Sequence, residues 1–178
     1  MSITDRALAT QACTTNGDAL MNCSAELKDD KALVLLAVTT SVDTLLWASP
    51  RLKEDKEVLL QACRYFGRAI RYTQQLRADR DVVLVAVTND GNALQHVPAS
   101  SGLKNDFHIV KAAVTSKPLS LQYASEECRR NVELLVIAAK LDIKVLGAAS
   151  SDEARSQAEQ QLKGMAETWS TSNSAYGK

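Results

Sequence analysis

Aromatic residues, glycine, proline and histidine are all scarce in this 178-residue sequence. Aromatic residues make up 4% of it, and there are only 7 glycines, 3 prolines and 2 histidines. So few turn-forming residues exclude a turn-rich all-β fold and a collagen-like fibre. No apolar run approaches the roughly 18 residues that a transmembrane helix requires. The 21 lysines and arginines balance 21 acidic residues, which argues against a nucleic-acid binder driven by bulk charge.

Motifs of catalysis and metal binding are also missing. The sequence has no P-loop, G-x-G-x-x-G, G-x-S-x-G or H-E-x-x-H motif. Its four cysteines lack C-x-x-C spacing, and His96 and His108 do not stand at zinc-site spacings from them. We therefore predict no catalytic residue, no metal and no cofactor, and a protein that is not an enzyme. Scattered cysteines and a start without a signal or transit peptide favour an intracellular, reducing compartment, either cytoplasmic or organellar.

The residues that are abundant form a repeat. The 25 alanines and 22 leucines favour helices. Six alanines, spaced 25, 25, 24, 27 and 25 residues apart, serve as anchors for the alignment of the repeats: Ala12, Ala37, Ala62, Ala86, Ala113 and Ala138. Asp or Asn stands seven residues before each anchor, and apolar residues stand four before, one after and eight after. These columns indicate internal repeats.

Each column has a physical role in a helical hairpin. The Asp or Asn is a preferred helix N-cap, and the apolar positions line one helical face. Gly17, Gly67 and Gly91 stand five residues after their anchors, where a residue with positive φ would end the helix. Each unit is thus predicted to contain a helix of about ten residues, a turn, and a helix of about six to eight.

Units of this size bury their apolar faces only by stacking on their neighbours. The sequence therefore predicts an all-α solenoid of about six two-helix repeats, each of roughly 25 residues, over residues 3–149. Ser150 and Glu153 fit a capping box, and apolar residues up to Trp169 recur at helical spacing. We expect a capping helix over residues 150–169 and a flexible tail over residues 170–178.

Three blocks carry a resemblance to a known family: "DKEVLLQAC…GRAIRY", "DRDVVLVAVTNDGNALQHV" and "NDFHIVKAAVTSKPLSLQYASEECR". They resemble the repeats of the family called domain of unknown function 4116, over roughly residues 4–149. The resemblance implies short helical repeats, found often in protists, algae and some bacteria. It implies no activity, cofactor or catalytic residue.

Two groups of residues are candidates for interaction. The first is a column ten residues after the anchors that contains four large rings: Trp47, Tyr72, His96 and Tyr123. It is either an aromatic ladder that grips a peptide or stacks on bases, or a packing column with polar tips at the surface. The second is a set of arginines in the third and fourth units: Arg64, Arg68, Arg71, Arg77 and Arg80. They form either a positive patch for an anionic partner or a solvated ridge paired with Glu54, Asp55, Glu57 and Asp79.

These features favour a non-enzymatic protein–protein interaction module. We expect a scaffold or accessory subunit of a larger assembly whose partners are other protein subunits. The family association suggests a protist or algal organellar complex, photosynthetic or respiratory. The alternative is a helical-repeat binder of single-stranded nucleic acid or of an anionic ligand. Zero net charge and the lack of a repeated basic position argue against that alternative.

Overall fold

The structure is a computed structural model that describes residues 2–175, with side chains up to residue 167. Within these residues the chain is helical from end to end and contains no strand, apart from one isolated bridge between Ile3 and Cys23. The prediction of an all-α helical-repeat protein is confirmed.

A capped long helix opens each of the six repeats. In all six, the cap side chain accepts a hydrogen bond from the backbone N–H three residues later, as the columns predict. The long helices are Arg6–Thr15, Lys31–Ala37, Lys56–Tyr65, Arg80–Asn89, Phe107–Ser116 and Val132–Leu141.

The second element of the repeat is a 3₁₀ helix rather than an α-helix. The exception is the second repeat, which has a short α-helix, Thr44–Trp47. In three of the 3₁₀ helices a buried glycine and a buried Leu or Ile stand five and eight positions after the anchor, and this spacing of three matches the three residues per turn of a 3₁₀ helix. The 3₁₀ helices are Gly17–Asn22, Gly67–Tyr72, Gly91–His96, Pro118–Tyr123 and Ile143–Ala148.

A third, short helical segment follows, so the prediction of two helices per repeat is wrong. The chain breaks eleven residues after each anchor, where the backbone is extended in every repeat. A serine then caps a new helix in three repeats, because its side chain can accept an otherwise unpaired backbone N–H. The short segments are Ala25–Lys28, Pro50–Lys53, Leu76–Ala78, Ala99–Ser101 with Leu103–Asn105, and Glu126–Arg130.

The apolar columns form one continuous core along the stacked repeats. The positions one and eight residues after the anchor are buried in all six repeats. The position four residues before it is buried in five, but Leu8 is 60% exposed. Leu8 belongs to the first of the six repeats.

The glycine column is required by close packing and not by backbone conformation. Gly17, Gly67 and Gly91 have ordinary φ values, because Gly102 is the only described residue with positive φ. A Cβ atom at any of the three would lie 2.2–2.3 Å from the carbonyl oxygen of the next repeat's anchor alanine. The predicted left-handed helix end is therefore wrong. The recurring glycine instead marks the point where one repeat touches the backbone of the next.

The same contact explains a second pattern between neighbouring repeats. Where a repeat has this glycine, the next long helix or the turn after it offers a side-chain oxygen that accepts the glycine N–H. The pairs are Gly17–Thr40 at 2.7 Å, Gly67–Asn89 at 2.7 Å and Gly91–Ser116 at 3.2 Å. Pro118 has no N–H to donate, and the matching position in the next repeat is Leu141.

Ion pairs also join successive repeats. The first residue of a long helix is basic in four repeats and pairs with the N-cap aspartate of the following repeat. The pairs are Arg6–Asp30 at 2.7 Å, Lys31–Asp55 at 2.8 Å, Lys56–Asp79 at 2.9 Å and Arg80–Asp106 at 3.0 Å. Each aspartate thus caps its own helix and binds the preceding unit. We call these pairs the ion-pair ladder.

The C-terminal helix, Asp152–Ala175, packs on the last long helix. Ala154 and Ala158 are buried, and Leu162 is half-buried against the core. The N-terminal cap is Ser151, whose hydroxyl accepts the N–H of Ala154 at 3.1 Å, one residue later than the predicted capping box. The helix continues six residues past the predicted end at 169. The side chain of Trp169 and residues 176–178 lie outside the described part of the chain.

Candidate interaction surfaces

The predicted ring column runs along the ends of the second elements. Trp47, Tyr72, His96 and Tyr123 are all at the boundary between core and surface, and the three aromatic ones pack against the core. No ring–ring contact joins two members of the column within residues 2–167. The rings are therefore spaced one per repeat, and they do not form a continuous stack.

Tyr72 has the most polar surroundings of the four rings. Its hydroxyl donates a hydrogen bond to Asp43, and the guanidinium of Arg71 lies 4.6 Å from its ring centroid. Burial and the bond to Asp43 raise the pKa of Tyr72. Tyr72 is thus held by structural contacts on its hydroxyl side.

Three of the five candidate arginines form ion pairs. These are Arg68–Asp90 at 3.6 Å, Arg71–Asp43 at 2.8 Å and Arg80–Asp106 at 3.0 Å. Arg64 donates a long hydrogen bond of 3.4 Å to Gln61. Arg77 has no ion pair within the described side chains. The predicted pairing with Glu54, Asp55, Glu57 and Asp79 is wrong for these arginines, because other carboxylates lie closer in the stacked repeats.

Sequence reasoning missed a basic column that the repeats share. Nine residues before the anchor, five successive repeats carry Lys or Arg: Lys28, Lys53, Arg77, Lys104 and Arg129. All five side chains are half-buried, and all five lie within or at the end of a short helical segment. Counting back from the anchor, rather than along one arginine-rich stretch, would have found them. We call this set the basic column.

Unlike most of the other cations in the described part of the chain, the five of the basic column have no carboxylate partner. No ion pair to any of its five members is present among the side chains up to residue 167. The Nε atom of Arg129 is buried without a hydrogen-bond partner. Most remaining cations are paired: Arg6, Lys31, Arg51, Lys56, Arg68, Arg71, Arg80, Lys111, Lys117, Arg130 and Arg155.

The basic column interleaves with the ring column. Lys53 donates a 2.8 Å hydrogen bond to the carbonyl oxygen of Leu46, the neighbour of Trp47. Lys53 also lines a groove of about 330 Å³ together with Tyr72. The carbonyl oxygen of Lys104 accepts the N–H of Ser125 at 2.9 Å, two residues beyond Tyr123. Cations and rings therefore alternate along this side of the repeats.

His96, a member of the ring column, lies near several cations. Burial lowers the pKa of His96, and the charges of Arg71, Arg77, Lys104 and Arg68 lower it further. Both burial and the nearby cations thus disfavour the protonated form of His96.

A separate surface on the long helices is apolar. Leu35, Leu60, Leu84 and Val85 are half-buried on the outer side of three successive long helices. They line two neighbouring grooves of about 490 and 540 Å³. Arg64 lines both grooves. We call this surface the leucine groove.

The four cysteines are free and buried, as small apolar core residues are. Burial raises the pKa of the Cys63 thiol to about 12 and that of Cys13 to about 11, so both stay protonated and unreactive near neutral pH. Among the residues that the structure describes, no group of His, Cys, Asp and Glu could hold a metal ion. None of the described helices is long and apolar enough to cross a membrane.

The repeat register agrees with a comparison to known families. The family described as domain of unknown function, DUF4116, matches residues 5–53, 55–104 and 79–129. The chain belongs to the DUF4116 family. Each match begins at an N-cap aspartate and spans two repeats, so one family match covers two structural units. The DUF4116 matches end at residue 129, before the sixth repeat. Neither a curated protein nor a solved structure matches the chain.

Proposed function

We propose that this DUF4116 chain is a non-enzymatic protein–protein interaction module that acts as a scaffold or accessory subunit of a larger assembly. The observation that carries the proposal is the leucine groove. Three successive long helices present leucine or valine at this surface, although exposing an apolar strip in water has a free-energy cost. Contiguous apolar patches with a polar rim are typical of protein interaction sites.

The groove also suggests the form of the partner. Lys56, Glu57 and Arg64 border its apolar floor. A floor of this kind fits the apolar face of an amphipathic helix, whose polar residues would meet the charged rim. The rim carries both signs of charge, so apolar contact supplies most of the binding free energy and the rim sets orientation.

Site-specific photo-crosslinking in cells that express the protein tests this proposal. A benzophenone amino acid replaces Leu60 or Leu84 in the groove. The matched control replaces Leu8, which is an exposed leucine at 60% but lies outside the groove. We expect a protein adduct of higher mass from the groove positions and none from Leu8. The absence of any adduct, or the same adduct from all three positions, contradicts the proposal.

A further inference from the structure

The basic column and the ring column together offer a second surface, separate from the leucine groove. Each repeat from the second to the fifth contributes one large ring, and each from the first to the fifth contributes one cation on its short helical segment. None of the residues of the two columns lines the leucine groove. We call the surface formed by these two columns the strip. An inference about the strip stands independently of the proposed function.

In the C-terminal half of the strip, no carboxylate directly follows a column cation to offset its charge. In the first and second repeats, Asp29 and Glu54 directly follow the column cations and partly offset their charge. In the next three repeats this position holds Ala78, Asn105 and Arg130, so no carboxylate directly follows the column cation. Arg77 and Lys104 are thus two unpaired cations that lie on either side of His96 in sequence.

Unpaired cations in regular register indicate a ligand of regular negative charge. The ion-pair ladder shows how this fold treats another repeated cation, because each ladder cation is neutralised by an aspartate of the next repeat. The basic column receives no such partner. Its side chains are half-buried, as long basic side chains are when their apolar stems pack against the protein.

The ring column favours one of two possible polyanionic ligands, an acidic peptide or a single-stranded polynucleotide. An acidic peptide needs only the cations, whereas a single-stranded polynucleotide presents a phosphate and a flat base in each unit. Some helical-repeat proteins read single-stranded RNA with one base per repeat. Aromatic side chains stack on bases, and neighbouring cations contact phosphates. One ring and one unpaired cation per repeat match that arrangement.

We propose that the strip formed by Arg77, His96, Lys104 and Tyr123 binds a single-stranded polynucleotide. The cations contact successive phosphates, and the exposed ring edges receive the bases. The zero net charge of the chain does not oppose this, because the neutralising carboxylates lie on the ion-pair ladder and elsewhere. Binding is expected to be weak to moderate and sensitive to salt, since few phosphates are neutralised.

Fluorescence anisotropy with a labelled RNA of mixed sequence, about 12 nucleotides long, tests the proposal over a series of salt concentrations. The variants Arg77→Gln and Lys104→Gln each remove one column cation and are expected to weaken binding about tenfold. Each also flattens the slope of log affinity against log salt by about 0.7. Tyr123→Leu keeps an apolar side chain but removes the ring, and is expected to weaken binding by at least about fivefold.

Arg80→Gln is the matched control, because it removes a positive charge only three residues from Arg77 but from the ion-pair ladder. We expect it to leave RNA affinity unchanged, and Leu84→Glu in the leucine groove to do the same. Thermal unfolding of every variant checks that each still folds. Single-stranded DNA, duplex DNA and polyglutamate of equal charge are compared as competitors.

Four results overturn the proposal. The first is no binding of RNA or single-stranded DNA at about 50 mM salt, where phosphate contacts are strong. The second is equal competition by polyglutamate with no effect of Tyr123→Leu, which assigns the strip to acidic peptides. The third is an equal loss from Arg80→Gln and Arg77→Gln, which reduces the effect to general charge. If the column variants lower only the stability, the proposal also fails, and the cations merely complete the ends of the short helices.

Discussion

The substitution Gly67→Ala tests directly how the repeats are joined. A Cβ atom at residue 67 would lie 2.3 Å from the carbonyl oxygen of Ala86, 2.8 Å from the amide nitrogen of Asp90 and 2.9 Å from the Cβ of Asp90. Two of these atoms belong to the backbone of the next repeat and cannot rotate away. Because ordinary contacts begin near 3.4 Å, the two repeats must separate by about 1 Å at this point.

The expected cost follows from the contacts that are lost. Overpacking a rigid contact costs roughly 1–3 kcal/mol. The separation also strains the 2.7 Å hydrogen bond from the Gly67 N–H to Asn89, which is worth about 1 kcal/mol. We expect a loss of about 3 kcal/mol in the free energy of unfolding. For a chain of this size the melting temperature then falls by roughly 6–12 °C.

Two other glycines provide controls for this prediction. A methyl group added at Gly147 would have no atom within 4 Å, so Gly147→Ala is expected to be neutral or to stabilise by up to about 1 kcal/mol. Gly102 is equally open but has a φ of 72°, so Gly102→Ala is expected to cost about 1–2 kcal/mol. Thermal unfolding followed by far-ultraviolet circular dichroism ranks the three variants. If Gly67→Ala unfolds no earlier than Gly147→Ala, the close approach between repeats does not exist.

Two further predictions concern acid and the C-terminal helix. Hydrogen bonds from Arg6 and Lys31 lower the pKa values of Asp30 and Asp55 in the folded protein. The unfolded pKa of an aspartate is about 4, so the stabilisation from these pairs is complete above that pH. It is lost as the pH falls through the lower folded pKa values. Chemical unfolding from neutral to strongly acidic pH should show this loss, and Asp30→Asn should reduce it; an unchanged acid profile for Asp30→Asn would contradict the pairing. Deletion of residues 151–178 uncovers the last long helix, so we expect faster aggregation measured by light scattering. Unchanged stability and solubility would show that this helix does not cap the repeats.

The elements of the fold that depend on local chemistry could be predicted from the sequence. The six N-caps follow from Asp or Asn seven residues before each anchor, since capping involves only the next turn of the same helix. The buried columns follow from periodicity for the same reason. The break between the 3₁₀ helix and the short helix is not predicted, because the apolar pattern of these two elements also fits a single short helix.

Features that join two repeats could not be predicted from one repeat alone. Positive φ is the local explanation for the glycine column, whereas its cause is a carbonyl oxygen from the next repeat. The ion-pair ladder likewise needs the distance between a cation and the following N-cap. The basic column is visible in the sequence, but its meaning depends on the absence of ion pairs among the described side chains, which only their packing shows. Of the predicted site residues, Arg68, Arg71 and Arg80 form ion pairs. Arg77 forms no ion pair among the described side chains.

The native mass of the protein in a gentle extract of cells that express it tests the proposed role most directly. The chain alone has a mass of 19.3 kDa. As a scaffold or accessory subunit it is predicted to migrate in a distinctly larger particle, and the variant Leu84→Glu is predicted to release it while remaining folded. Migration of the wild-type chain alone near 19.3 kDa, unchanged by Leu84→Glu, would contradict the proposal that it is a stable subunit of an assembly.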